Sequence, residues 1–246
     1  MNSGICTLAA VPVRSEPSSK SEMTNMILFG ETFQISEIHG EWVQITCDYD
    51  QYTGWLNLKY ITPLLHKPAT TTPLRQFPLA ACAAPDESPL LLLPGSSLPD
   101  YANCNFHING KRYTIALQEN TVSDVITYAK LFINAPYLWG GRSLFGIDCS
   151  GLTQVVYKLC GIKIPRDASQ QALTGQDVAF RNAVLAGDLA FFDNEEGHIT
   201  HVGIMIDTDT IIHASGKVRV DKLDDYGIWN AELQQHTHKL RIIKRM

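Results

Sequence analysis

The sequence predicts an α+β protein in which β-rich material comes first and a helices-then-sheet domain follows. Two observations predict this. The first third of the 246 residues carries short strand-like segments without helical periodicity. From residue 121 onward, two apolar stripes at helical spacing precede three strand-like runs joined by polar turns, an order typical of α+β domains.

In the first third the strand candidates are residues 9–14, 26–38, 41–46 and 54–61, separated by turn residues such as His39-Gly40 and Asp48-Tyr49-Asp50. Such a series predicts a small barrel. Residues 64–88, rich in Thr, Pro and Ala, read as a connector crossing the surface. Further strands are expected at 90–93, 104–108 and 111–117, the last two joined at Asn109-Gly110, a strong hairpin signal.

A helix is expected from Thr121, with Asp124 three residues on, through Val122, Val125, Ile126, Ala129, Leu131, Phe132 and Ile133, ending at Pro136. A second should run from Cys149 to Cys160, with Leu152, Val155, Val156 and Leu159 on one face and Gly161 as its stop. The final strands are expected at 188–192, 201–206 and 210–214. Predicted domains are thus 1–64, 65–118 and 119–246.

Hydrophobic residues make up 45% and charged residues 18%, as in ordinary globular proteins. A net charge of -5 with no basic run argues against nucleic acid as partner. No apolar run approaches a membrane span. The start of the chain makes a poor secretory signal, so a cytoplasmic location is expected. The six cysteines form no C-x-x-C pair and are expected to be free, with five of them ordinary small thiols.

Cys149 stands apart through its neighbours. Asp148-Cys149-Ser150-Gly151 lies where a loop enters a helix, and the free N–H groups and positive dipole end of a helix are expected to lower a thiol's pKa there and to stabilise an oxyanion. Alone this is weak, because cysteine is often simply a buried small residue. Two histidines strengthen it. His201 and His213 fall on consecutive strands, and a loop of odd length such as 207–209 would put them on one face. The arrangement offers nucleophile, base and orienting group in chain order.

Six short motifs occur in series: Tyr137-Leu138-Trp139-Gly140-Gly141, Asp148-Cys149-Ser150-Gly151, Ile164-Pro165-Arg166, Ala186-Gly187-Asp188-Leu189, His201-Val202-Gly203-Ile204 and Ile212-His213-Ala214-Ser215. Together they resemble the NlpC/P60 catalytic domain. The resemblance implies a papain-like α+β fold with Cys149 as nucleophile, His201 as base, His213 as third polar residue and Tyr137 beside the thiol and oxyanion site. Trp139 is read as a structural wall of the core. Ser169 is taken as the substrate-side serine, though it could equally begin a helix.

The first third, through Pro12-Val13-Arg14, Glu16-Pro17, Ser21-Glu22-Met23, Leu28-Phe29-Gly30-Glu31, Gly40-Glu41-Trp42-Val43 and Tyr52-Thr53-Gly54-Trp55-Leu56, resembles the bacterial SH3-like domain that precedes this catalytic domain in γ-D-glutamyl-L-diamino acid endopeptidases. The resemblance implies that Glu22 and Tyr52 reach the substrate. Asp148, Ser150, Glu22 and Tyr52 are then expected to receive a free L-Ala ammonium.

The expected activity is a cysteine peptidase cutting the γ-D-glutamyl to diamino acid bond, with meso-diaminopimelate or Lys as the diamino acid, in murein peptides with a free N-terminal L-Ala. It would serve cell-wall peptide recycling and act as a monomer without metal or organic cofactor. The alternatives are a secreted wall-cutting endopeptidase, a wall-peptide binding protein without activity, and an amidase or acyltransferase. A metallohydrolase using His198, His201 and Asp148 lacks an H-E-x-x-H or cysteine-pair motif.

Overall fold

The computed structural model describes residues 2–84, 86, 88–115, 117 and 124–246. It consists of two compact units, Met1–Thr121 with Trp139–Ser143, and Val122–Leu138 with Leu144–Met246.

The first unit is built on a seven-stranded antiparallel sheet in the order Met23–Leu28, Ala10–Arg14, Thr53–Asn57, Trp42–Cys47, Thr32–His39, Ser3–Ile5, Thr62–Pro63. Alternate residues of these strands fill an SH3-like barrel with Val11, Val13, Ile27, Phe33, Val43, Ile45 and Leu56. The single run expected at 26–38 breaks into two strands at Gly30. That glycine has a φ of +75°, and a Cβ there would lie 1.8 Å from the Ser97 carbonyl oxygen, so backbone approach demands the break.

Residues 64–88 do more than connect. They contain the strands Thr71–Pro73 and Ala80–Ala83 and bury Leu74, Ala80 and Cys82. Small residues at alternating positions conceal a strand from a reading based on composition. Their core is shared with Ile5 and Phe29 of the barrel and includes Phe106 stacked on Tyr113. The expected hairpin is present, pairing Ile108 with Lys111 around Asn109 and Gly110, both at positive φ.

Trp139–Ser143 belongs to this unit. Gly140, at a φ of +75°, passes so close to the Met23 backbone that a Cβ would meet its carbonyl oxygen at 2.5 Å. Two residues on, the buried Arg142 makes a bidentate pair with Glu31, at 2.8 and 2.9 Å, and donates to the Met26 carbonyl at 2.8 Å. Trp139 itself is 56% exposed, so its reading as a core wall is corrected: the glycine and arginine beside it are the buried part of the segment.

In the second unit the first helix is Val125–Lys130. Thr121 and Val122, expected in its first turn, lie outside the described residues; Asp124 is the N-cap and accepts from the Thr127 N–H at 2.8 Å. The helix ends before Leu131 and Ile133, which are exposed, while Phe132 remains buried.

The helix Cys149–Leu159 is buried along its whole length, including polar Thr153 and Gln154. It ends as expected: Gly161 has a φ of +80°, and its N–H and that of Ile162 donate to the carbonyls of Lys158 and Tyr157.

The sheet extends past the three expected strands. Leu189–Asp193, Ile199–Met205 and Thr210–Ser215 continue into Lys217–Leu223, Gly227–Asn230 and Gln235–Arg245, and the last strand pairs with both Gly227–Asn230 and Leu189–Asp193. Six strands therefore close into a barrel on which the Cys149 helix packs. No helix of the described residues is long and apolar enough to cross a membrane.

All six cysteines are free; Cys104 is exposed, while Cys6, Cys47, Cys82 and Cys149 are buried and Cys160 is half-buried.

Replacing Glu31 by Ala removes the bidentate charge partner of the buried Arg142 guanidinium. The expected cost is about 3–5 kcal/mol, measured as a lowered urea midpoint. Unchanged stability would show that the pair contributes nothing net.

Candidate active site

The nucleophile position is made by the helix that carries it. Asp148 is extended and caps the helix, its carboxylate accepting from the Gly151 N–H at 2.6 Å. Arg166 of the Ile164-Pro165-Arg166 motif lies beneath this turn, only 1% exposed. Its guanidinium donates to both Asp148 oxygens, at 3.1 and 2.6 Å, and to Ser150 Oγ at 2.8 Å. Asp148 and Ser150 are thus brought together beside Cys149 as expected, but as members of a buried cap-and-arginine cluster. The Asp148 carboxylate is paired with the Arg166 guanidinium.

The two histidines come from the adjoining barrel strands. Pairing of Gly203 with His213 places His201 and His213 on one face, as the three-residue loop requires. Gly203 makes the meeting possible: a Cβ there would lie 2.9 Å from His213 Cβ and 2.6 Å from Ile211 Cδ1. Across this gap His201 Nε2 and His213 Nδ1 are 2.8 Å apart. The chain of contacts continues through His213 Nε2 to Asp221 Oδ2 at 2.9 Å, and Arg219 holds both Asp221 oxygens at 2.6 and 3.0 Å.

Sequence reasoning missed Asp221, Arg219 and His238. The His238 ring stacks on His201 with centroids 4.1 Å apart and planes 26° apart. The strands carrying these residues are mixed in polarity, and the available signal was the alternation Val218, Val220 with charged residues between. A groove of about 300 Å³ opens beside His201, lined also by Tyr137, Thr200, Ala214, Ser215, Gly216 and His238.

Tyr137 is half-buried and held by its N–H to the Gly216 carbonyl at 3.0 Å. Its phenol is pushed well above the usual range by burial and then by the charges of Cys149 and Asp148. Ser169 is exposed on the short helix Ala168–Gln171, whose N-cap position is taken by Asp167. In the first unit, Glu22 is exposed just before the strand Met23–Leu28, and Tyr52 is half-buried against the barrel core.

His201, His213 and His238 present nitrogens within 4.8 Å of one another, a grouping that could suggest a metal. Two nitrogens on one tetrahedral zinc lie about 3.3 Å apart, longer than the 2.8 Å between His201 and His213. Stacked rings also do not converge their lone pairs on one point. The contacts fit hydrogen bonding. His198 is separately engaged, its exposed ring paired with Glu196 at 3.3 Å.

Over 217 residues the chain is 32% identical to the γ-D-glutamyl-L-lysine dipeptidyl-peptidase of Bacillus subtilis, covering 76% of this chain and 71% of that protein. The chain belongs to the NlpC/P60 family. Residues 134–238 match the NlpC/P60 family itself, and residues 13–61 match the bacterial dipeptidyl-peptidase SH3 domain. A γ-D-glutamyl-L-lysine dipeptidyl-peptidase of Bacillus cereus is 42% identical over 93 residues, 37% of this chain and 28% of that one. The crystal structure of an NlpC/P60 family protein from Bacillus cereus shares the fold over 99% of both chains, with a TM-score of 0.83 at 20% identity. As an NlpC/P60 enzyme the protein is a cysteine peptidase.

One electrostatic expectation is corrected. Burial pushes the Cys149 thiol up to about 11, and the Asp148 charge adds to the rise. The backbone N–H groups of Val202 and Ser150 and the charge of Arg166 oppose it without prevailing. His201 is held well below its usual value by burial, then by His238 and His213. Both shifts favour the uncharged forms, thiol and neutral imidazole, and with them a proton transfer that accompanies attack.

Alkylation of Cys149 by iodoacetamide should therefore accelerate from pH 7 to beyond pH 10, by about tenfold per pH unit, because only thiolate reacts. A plateau below pH 8 would establish a preformed thiolate.

Proposed function

We propose that this NlpC/P60 peptidase hydrolyses the γ-D-glutamyl to diamino acid bond of murein peptides that begin with an unblocked L-Ala, with meso-diaminopimelate or Lys as the amine released. The observation that carries the chemistry is Cys149 at the first turn of a buried helix packed on the strand Ile199–Met205, whose His201 is hydrogen-bonded to His213. The substrate reading is supported by the relatives named for γ-D-glutamyl-L-lysine dipeptidyl-peptidase activity. A dipeptidyl-peptidase removes two residues from a free amino end.

In the first half-reaction the Cys149 proton passes to His201 Nδ1 as sulfur attacks the γ-carbonyl carbon of D-Glu. The oxyanion forms where N–H groups of the helix start can donate. His201 returns the proton to the departing diamino acid nitrogen as the C–N bond breaks, leaving a thioester. Water then gives a proton to His201 and its oxygen to the thioester carbon; the γ-carboxylate leaves and the thiol is restored.

A requirement for free L-Ala fits recycling of released peptides inside the cell, because wall peptides keep that nitrogen in an amide bond to muramic acid.

Cys149→Ala should abolish turnover with the fold retained. His201→Ala should cost about 10²- to 10⁴-fold in kcat, and His213→Ala should cost less. The substrate range is read from kcat/KM on L-Ala-γ-D-Glu-diaminopimelate, its Lys counterpart, the N-acetylated tripeptide and a muramoyl peptide. Cleavage of the free tripeptides alone is expected. Equal rates on blocked and free substrates would overturn the amino-end requirement, and wild-type turnover by Cys149→Ala would overturn the mechanism.

A further inference from the structure

Asp221 lies outside every motif that marks the family resemblance, yet it is among the most deeply engaged acids of the second unit. Its side chain is 5% exposed, and one oxygen, Oδ2, meets both His213 Nε2 at 2.9 Å and Arg219 Nε at 2.6 Å. Burial alone would raise this carboxyl, but the hydrogen bonds from His213 and Arg219 outweigh it and hold it below the usual carboxylate range. An ionised carboxylate can only accept hydrogen bonds. Every contact it makes must therefore be a proton donated by its partner.

That requirement propagates. A His213 ring with a single proton must carry it on Nε2 to donate to Asp221, which leaves Nδ1 as an acceptor. His201 Nε2, 2.8 Å from that atom, must then be the donor. With its proton on Nε2, His201 has its only lone pair on Nδ1, the nitrogen that must take the thiol proton. The opposite arrangement, with Nδ1 of His201 protonated, would leave its lone pair on Nε2, against His213.

We propose that Asp221 is a positioning residue of this peptidase, acting through His213 to hold His201 in the tautomer that can deprotonate Cys149. It receives no proton itself. When His201 becomes imidazolium, its Nε2–H remains hydrogen-bonded to His213, and the Asp221 charge lies beyond that ring along the same line. Arg219, also paired with Glu232 at 3.1 Å, fixes the carboxylate's orientation.

The kinetic part of the test rests on the substrate proposed above, whereas the spectroscopic part does not. In wild-type enzyme with ¹⁵N-labelled histidine at neutral pH, His213 and His201 should both show a proton on Nε2 and a bare Nδ1. A proton on His213 Nδ1 would overturn the proposal irrespective of any substrate or variant. Asp221→Asn should lower kcat on the free tripeptide by about ten- to a hundredfold with KM changed less than about twofold. The same substitution in a His213→Ala background should cost nothing further, because the path to His201 is already cut. An equal loss in both backgrounds, or no loss in either, would show that Asp221 only supports the fold. Asp221→Glu keeps an acceptor that can reach the ring and should recover more activity than Asp221→Asn; failure of that order would likewise overturn the assignment.

Discussion

The hydrogen bond between His201 and His213 depends on strand register, and much of the second unit is arranged around that dependence. Directly opposed residues on neighbouring antiparallel strands share a face, and residues two positions away lie diagonally within reach of long or aromatic side chains. His201, His213 and Asp221 are linked by two such diagonal steps across three adjacent strands. A slip of one residue in either pairing would turn one member to the opposite face and interrupt the series. Gly203 preserves the space, the three-residue loop preserves the parity, and closure of the barrel by its last strand leaves these central strands without a free edge along which to slide.

The other half of the site obeys a different constraint. A cysteine at a helix start would ordinarily gain from the dipole, but here the helix is buried throughout, and burial costs a thiolate more than one turn of N–H groups returns. The Asp148–Arg166 cluster stiffens that turn while placing both an anion and a cation near the sulfur, so their opposed influences partly cancel. The site is organised for a proton to move during the reaction, which makes the direction and protonation of His201 more consequential than a standing charge on Cys149.

What could be read in the sequence was whatever depended on neighbours along the chain. The Asn109-Gly110 hairpin, the stop at Gly161 and the shared face of His201 and His213 follow from turn chemistry and periodicity, and each is present. The family's motifs supplied Cys149 and its two histidines. What escaped depended on packing between distant segments. Residues 71–83 looked like a linker because the buried positions of the strand Ala80–Ala83 are small and Leu74 stands alone; Asp221 and His238 were missed because their strands carry charge where a soluble edge would; and the thiol's acidity was misjudged because burial of an entire helix is not written in its own hydrophobic stripe.

The five residues Trp139–Ser143 carry a consequence for how such proteins can be cut and recombined. They sit within a motif of the peptidase, yet their backbone lies against Met23 and their arginine is neutralised by Glu31. The chain visits the first unit twice, so a boundary drawn once along the sequence removes part of one unit's interior together with the other. Shuffling of the SH3-like unit in evolution would have to carry Glu31 and the Met23 strand together with a matching Gly140 and Arg142, and graftable modules in this protein are defined by that correspondence as much as by length.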